Sequence, residues 1–500
     1  MINLGMGLGM SEGKYSVPQH IRDQKPKGSM VKRIRDNFYV YEYKTVYVDG
    51  IKKTKMGKCI GTIKEGVGFI SNDYVLYDEE ITSLEYGQYE VAIAASKRTY
   101  DTLCEFFPIQ YARMIYVIAL IHFVNGFCYM IELKDYYDMS VLNLLYPSLN
   151  LGYESVSKLY DFLGRRQKRV LSMEQALLSR ASEGIAIDGH IVGAGSWKND
   201  LTEKGYKFNI LKEQQINMIM AYDVLGASPV AVRVAEGGTS DKISVKDLLS
   251  DIKLENKILL VDKGFYSKDN LALFSENNNR YIIPLAKNNN DCKKAVEDLS
   301  FADMFVYTSD KGNKSTAIEF KILIENDYRV FVFRDKDENA KKCANYMRLI
   351  DEGNTLYTIE KFNASKDLLG VYVLRTNDMS MDAKEVFCWY KRRWRIEEFY
   401  DYFKNEGLNK AFHQCDYYKM QGLAFILMVS SMIHSDFSVK TLSLSEKPSV
   451  ASCILKTRMI KLVKRNSHWT CTNCKSSNKR ILEQLGGRMT PFESCAIPPT

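Results

Sequence analysis

Ile258-Leu259-Leu260-Val261-Asp262 is an apolar run stopped by a carboxylate. Four branched aliphatic residues in a row leave no face for solvent, so the run reads as a strand covered on both sides. Gly184-Ile185-Ala186-Ile187-Asp188 has the same shape and also ends on an acid. Working outward, strands are expected at 184–192, 214–223 and 229–235, then a helix at 243–252. A strand at 257–262, a helix at 268–277 and a strand at 280–286 follow. Antiparallel strands giving way to strand–helix alternation make an α/β protein.

A third acid stands in a different setting, Trp389-Tyr390-Lys391-Arg392-Arg393-Trp394-Arg395-Ile396-Glu397. Read as one helix, Tyr390, Arg393, Glu397 and Lys404 project at about 0°, 300°, 340° and 320°, a stripe roughly 60° wide and about 21 Å long. Ile396, Phe399 and Phe403 form the apolar stripe beside it, which should face the core. One edge of the helix therefore presents a phenol, a guanidinium, a carboxylate and an ammonium. A carboxylate for a metal flanked by cations for phosphate suits phosphodiester chemistry. A solvated face with an Arg393–Glu397 pair gives the same pattern.

The spacing Tyr-x2-Arg-x3-Glu-x6-Lys, at Tyr390, Arg393, Glu397 and Lys404, resembles the signature of insertion-sequence transposases with an Asp-Asp-Glu triad, the superfamily that includes the Tn-five transposase. Val261-Asp262-Lys263-Gly264-Phe265-Tyr266-Ser267 is similar to their second-aspartate motif, with Lys263 where many relatives carry Arg. Ile187-Asp188-Gly189 would hold the first aspartate. Glu236-Gly237-Gly238-Thr239-Ser240-Asp241 resembles a turn between the two. The resemblance is strong from about 180 to 410, looser from 38 to 180 and slight beyond 440.

The resemblance implies a ribonuclease-H-like catalytic core whose first and fourth strands are neighbours, bringing Asp188 beside Asp262. It also implies a β-rich insertion, placed at 291–370, before the core resumes at 371–440. In that insertion, strands are expected at 317–324, 328–333 and 356–361. Asn377, Asp378 or Ser380 would cap the helix starting near Asp382. Asp188, Asp262 and Glu397 would be both catalytic residues and metal ligands. Asp188 would serve two ions, Mg2+ or Mn2+, because hard oxygen donors suit those metals. Tyr390, Arg393 and Lys404 would bind DNA. The implied activity is metal-dependent cleavage at the ends of the element and strand transfer into target DNA, by a homodimer on paired terminal inverted repeats. A ribonuclease-H-like nuclease that cuts without joining, or a DNA-binding derivative without catalysis, are the alternatives.

Composition agrees with a DNA partner. The net charge of +8 is unevenly placed. Residues 1–60 hold twelve Lys or Arg against five Asp or Glu, and 456–480 hold eight basic residues and no acid. Arg165, Arg166, Lys168 and Arg169 form a third cluster. Phosphate neutralisation provides most non-specific DNA affinity.

Residues 38–95 read as β-structure, with Tyr39 to Val48 leading into an Asp49-Gly50 hairpin signal. That Tyr-and-Lys mixture could lie along DNA. Residues 97–181 turn helical, and Ser155 to Leu163 followed by a basic turn offers a helix-turn-helix. A helical, basic region, 441–500, closes the chain. Eleven cysteines without framework spacing, and an opening decapeptide unlike a secretory leader, point to reduced thiols in a bacterial cytoplasm. The run 114–131 is expected as a buried helix, not a membrane span, with no second run like it. His190 reads as structural, Trp197 as turn packing, and His468, Cys471, Cys474 and Cys453 as only partial zinc spacing.

Overall fold

The computed structural model describes residues 16–48, 51–72, 82–165, 168–193, 203–204, 214–239, 241–309, 315–397, 400, 416–465 and 468–489. Trp197, Phe399, Phe403 and Lys404 lie outside the described residues, as does the side chain of His468. The chain divides into two compact units, Met1–Ser83 with Val463–Thr470, and Leu84–Leu462 with Cys471–Thr500.

The first unit is a four-stranded antiparallel sheet of β1 (Ser29–Ile34), β2 (Asn37–Val48), β3 (Ile51–Lys64) and β4 (Gly68–Ser71) in that order. Its small core is Ile21, Val40 and Ile63, closed by Val31, Phe38 and Phe69. Val48 pairs antiparallel with Ile51, on either side of the expected Asp49-Gly50 turn, which itself lies outside the described residues.

In the second unit the main sheet is mixed. Strands β5 (Gly184–Gly193), β6 (Gln214–Asp223) and β7 (Ser228–Glu236) form an antiparallel meander. On the other side of β5, β8 (Ile258–Val261) and then β9 (Arg280–Pro284) add in parallel. The expected neighbour relation is observed: Val261 is registered on Ile187. Leu259, Val261, Ile185 and Ile187 are buried beneath Val245 and Leu248 of one helix (Asp241–Asp251) and Leu271 and Phe274 of another (Lys268–Phe274). Ile258 and Leu260, which alternate to the opposite face, are buried as well, and this cover on both faces explains why β8 has no polar alternation.

The segment 291–370, expected as a β-rich insertion, holds three strands and also helices among its described residues. Strands β10 (Asp303–Thr308), β11 (Ser315–Ile324) and β12 (Arg329–Asp335) continue the main sheet through β13 (Val371–Thr376), which pairs antiparallel with β9. A helix of sixteen residues, Lys336–Asp351, follows β12. The strand expected at 356–361 is instead the start of a helix, Ile359–Ser365, because the Thr358 side chain accepts a hydrogen bond from the Lys361 N–H and caps it. Likewise 87–95 is a helix, not β-structure.

Among the helices, α1 (Ile109–Asn125) is the expected buried one, ending where Gly126 takes φ +76°. The helix-turn-helix segment forms α2 (Tyr153–Gly164) and α3 (Lys168–Arg180). After β13 come α4 (Ala383–Arg392) and, further on, α5 (Tyr417–Leu442). Against the expectation of a single long apolar run, α5 is as apolar as a membrane span; 83% of its most apolar stretch is buried in protein. Two glycines let α2 touch α5 backbone to backbone. A Cβ at Gly164 would lie 1.5 Å from the Tyr418 carbonyl oxygen, and one at Gly422 would lie 1.9 Å from that of Tyr160. From α5, Gln421 both accepts from the Val234 N–H (3.0 Å) and donates to its carbonyl (2.7 Å), fixing the helix to β7.

Candidate active site

The two aspartates are positioned by adjacent strands. Asp188 lies within β5 opposite Met220, and Asp262 follows directly on β8. The parallel register that sets Val261 beside Ile187 carries the next residues, Asp262 and Asp188, to the same end of the sheet. Beyond Asp262 the chain leaves in a single tight turn, closed by the Phe265 N–H donating to the Asp262 carbonyl at 3.0 Å and anchored by the buried Phe265 ring.

The helix leading to the third acid, α4, starts with a reciprocal cap. Asp382 accepts from the Glu385 N–H at 2.8 Å, and Glu385 accepts from the Asp382 N–H at 2.9 Å. Asp382 is thus the cap, in place of the three residues expected; Asp378 instead accepts from the Ser380 and Met381 N–H groups in the preceding turn. Helix α4 lies close against β5 because Gly184 has no side chain. A Cβ there would come within 2.3 Å of the Trp389 ring.

The helix does not run straight through to Glu397. It tightens at Arg393, whose N–H donates to the Tyr390 carbonyl while its own carbonyl accepts from Ile396, both three residues apart. Helical conformation resumes at 394–397. Arg395 donates to the Val224 carbonyl at 2.6 Å and Tyr400 to the Asp188 carbonyl at 2.9 Å. The Tyr400 ring stacks on His190 with centroids 4.8 Å apart. These ties hold the segment against β5 and bring Glu397 within electrostatic reach of Asp188.

Arg393 occupies the middle of the cluster. Its Nη2 donates to Glu397 Oε1 at 2.7 Å, and its Nη1 lies 4.0 Å from Asp188 Oδ2. The guanidinium is buried, and its Nε and Nη1 make no hydrogen bond among the described residues. Burial pushes the Asp188 carboxyl up to about 6; Arg393 and the Gly189 N–H oppose the rise, and the nearby charges of Asp262 and Glu397 add to it. For Arg393, burial works against the charge, but Glu397, Asp188 and Asp262 outweigh it and hold the group above its ordinary value. Asp262 and Glu397 therefore both act on Asp188, and all three acids act on one cation.

The expected phosphate-facing stripe is altered in this arrangement. Tyr390 is buried edge-on against Tyr372, with centroids 5.8 Å apart. A neighbouring network escaped sequence reasoning: Lys391 donates to the Tyr372 hydroxyl at 3.1 Å, and that hydroxyl donates to Glu338 of the Lys336–Asp351 helix. Nothing short of the fold brings residues 338, 372 and 391 together. Among the described residues no three His, Cys, Asp or Glu side chains already gather closely enough for a metal, Cys471 and Cys474 included. The acids surround Arg393 instead of a common point. Their chemistry still fits a hard divalent ion: three oxygen donors, and an Asp188 that burial makes costly to ionise without a nearby cation.

The model of the transposase DDE domain matches residues 179–434. The chain belongs to the DDE transposase domain family. The match spans all three acids, Tyr390, Arg393 and Lys404, together with much of α5. The transposase domain thus covers the meander, both parallel strands, the extension of the sheet and the helix of Glu397. No curated protein sequence matches the chain significantly. Among solved structures, one described as a cryo-EM structure of a piggyBac transposase synaptic complex with hairpin DNA aligns with 83% of this chain and 90% of that chain, at 9% identity and a TM-score of 0.40.

Proposed function

We propose that the protein is an active insertion-sequence transposase in which Asp188, Asp262 and Glu397 hold divalent metal at a ribonuclease-H-like site. The observation that carries the reading is the register of β8 on β5, which sets two aspartates at one sheet end, with Glu397 joined to Asp188 through Arg393. The antiparallel meander followed by two parallel strands on the far side of β5 supports the ribonuclease-H-like description.

Mg2+ or Mn2+ bound there would supply Lewis-acid activation of a water or 3′-hydroxyl and charge relief for the leaving oxygen. The chain's own residues do the rest. Asp188 and Asp262, on rigid strands, fix the donor positions. The tight turn at Arg393 and the Tyr400 bond to β5 fix Glu397 against them. The planar fork of Arg393 suits a phosphate once the carboxylates have a metal to neutralise them, and Lys404 would add a second cation. The substrate is double-stranded DNA, namely terminal inverted repeats and then target DNA, handled by a homodimer in a bacterial cytoplasm.

The test is direct. Purified protein with Mn2+ should nick duplexes carrying the repeats that flank its gene and join a labelled 3′ end to a second duplex. Nicking without joining would favour the nuclease reading. Absence of metal binding and of both reactions would overturn the proposal.

A further inference from the structure

The first unit contains a two-stranded ribbon that nothing in that sheet flanks. β1 reaches only as far as Glu42 in its pairing with β2, and β4 only as far as Gly61 in its pairing with β3. Beyond those points residues 43–48 and 51–56 pair with each other alone, after register irregularities on either side of Tyr41. Every described side chain from Glu42 to Tyr47 and from Ile51 to Lys58 is exposed. A bare two-stranded ribbon has no apolar face to stabilise it, so its composition reflects a use other than core formation.

The register sorts that composition by face. Lys44 pairs with Lys55, and Val46 with Lys53. Alternation puts these four on one face, with Lys53 diagonal to Lys44. Three ammonium groups thus crowd one side of the ribbon, two of them directly opposed, and none makes an ion pair among the described residues. Like charges in that position are destabilising. The other face carries Tyr43, Thr45 and Tyr47 against Met56, Thr54 and Lys52.

We propose that this ribbon seats in the major groove of duplex DNA, with Lys44, Lys53 and Lys55 neutralising phosphates. Two paired strands with their side chains match a groove about 12 Å wide. An uncompensated cationic face is complementary to a polyanion, and exposed Val46 between the lysines gives apolar contact to base edges. The proposal rests on the reading of the protein as a DNA-acting transposase.

The experiment titrates the full chain against a labelled mixed-sequence duplex across a salt series, with a single strand of the same length in parallel. Lys44→Ala/Lys53→Ala/Lys55→Ala should weaken duplex binding by about ten- to a hundredfold. It should also reduce the salt slope by about 2.7, from roughly 0.9 per phosphate contact. The corresponding triple Lys→Arg chain should bind like the wild type. An unaltered thermal midpoint in the alanine variant separates lost contacts from unfolding. Equal affinity and slope in wild type and alanine variant would overturn the ribbon proposal and leave the transposase reading intact. Equal losses on single strand and duplex would overturn the groove assignment. Metal-dependent nicking, read on the same preparations, reports on the transposase reading separately.

Discussion

Two regions of this molecule handle charge in opposite ways. In the carboxylate cluster, Arg393 is 6% exposed and is shared among three acids, of which Asp188 is penalised by burial. On the ribbon, Lys44 and Lys55 face one another in open water with nothing between them. In the first region each charge depends on its neighbours, because low dielectric strengthens attraction and raises the cost of a missing partner. In the second, water screens the repulsion to a fraction of a kcal/mol. Removing the shared cation should therefore be severe at one place, and removing a lysine mild, or favourable, at the other.

The largest effect should come from the acids themselves. Asp188→Ala, Asp262→Ala or Glu397→Ala should lower metal-dependent DNA cleavage by at least about a thousandfold, since metal and phosphate charge are no longer jointly held. Duplex binding by the same variants should stay measurable in a gel-shift titration. Wild-type cleavage rates in any one of them would remove that residue from the site.

Next comes Arg393→Ala. It leaves three acids without their cation, and breaking a buried pair costs about 3–5 kcal/mol. Glu397 is 35% exposed and so partly screened, which places the expected loss near the lower end of that range. The thermal midpoint should fall at neutral pH without metal and recover when Mn2+ is added. A midpoint that ignores Mn2+ would mean that the acids do not converge on a cation site. The effect on DNA binding is secondary here, because the guanidinium is turned inward.

A pH series sharpens the same point. The Asp188 carboxyl is raised to about 6 in the folded protein, against an ordinary value near 3.8. A raised carboxyl means that the folded state holds a proton that the unfolded chain has already lost. Metal-free stability should therefore fall as pH climbs from about 4 to about 6 and level off above, by roughly 2–3 kcal/mol from this group. Asp188→Asn should flatten that slope and leave the protein at least as stable at pH 7. Urea denaturation of both proteins at several pH values reads the difference directly.

How much of this was legible follows from where each signal resides. Strands β5 and β8 were plain because Ile185, Ile187, Leu259 and Val261 on one face and Ala186, Ile258 and Leu260 on the other are all buried, leaving an unbroken apolar run ending in an acid. Their adjacency came from family resemblance; composition and periodicity have no access to it. The turn at Arg393 was hidden because it is imposed from outside the segment, by the bonds of Arg395 to Val224 and Tyr400 to Asp188. The helix at 87–95 was missed because it is buried nearly all round, so no 3.6-residue stripe appears. Its Glu90 is answered by Arg488 at 2.9 Å, almost four hundred positions away. By contrast Thr358, three residues before Lys361, was a helix cap available to be read, and the β-propensity of Leu356 and Tyr357 obscured it.

The smallest effect belongs to the ribbon, and it should have the opposite sign. Lys44→Glu replaces a repelling cross-strand pair with a carboxylate facing Lys55, an arrangement worth about 0.2–1 kcal/mol in favour of the sheet relative to neutral partners. Because both positions are exposed, the gain should lie at the low end and shrink in high salt. Guanidinium would mask it, so urea at low ionic strength is the appropriate denaturant. If the ribbon existed only for the stability of its own unit, such a substitution would be an improvement without a penalty. A DNA-binding role predicts a trade instead: slightly greater stability together with weaker duplex binding and a flatter salt dependence. A Lys44→Glu chain that is less stable than wild type would show that the two lysines are not opposed in solution, and the contrast with the buried cluster would then fail at its exposed end.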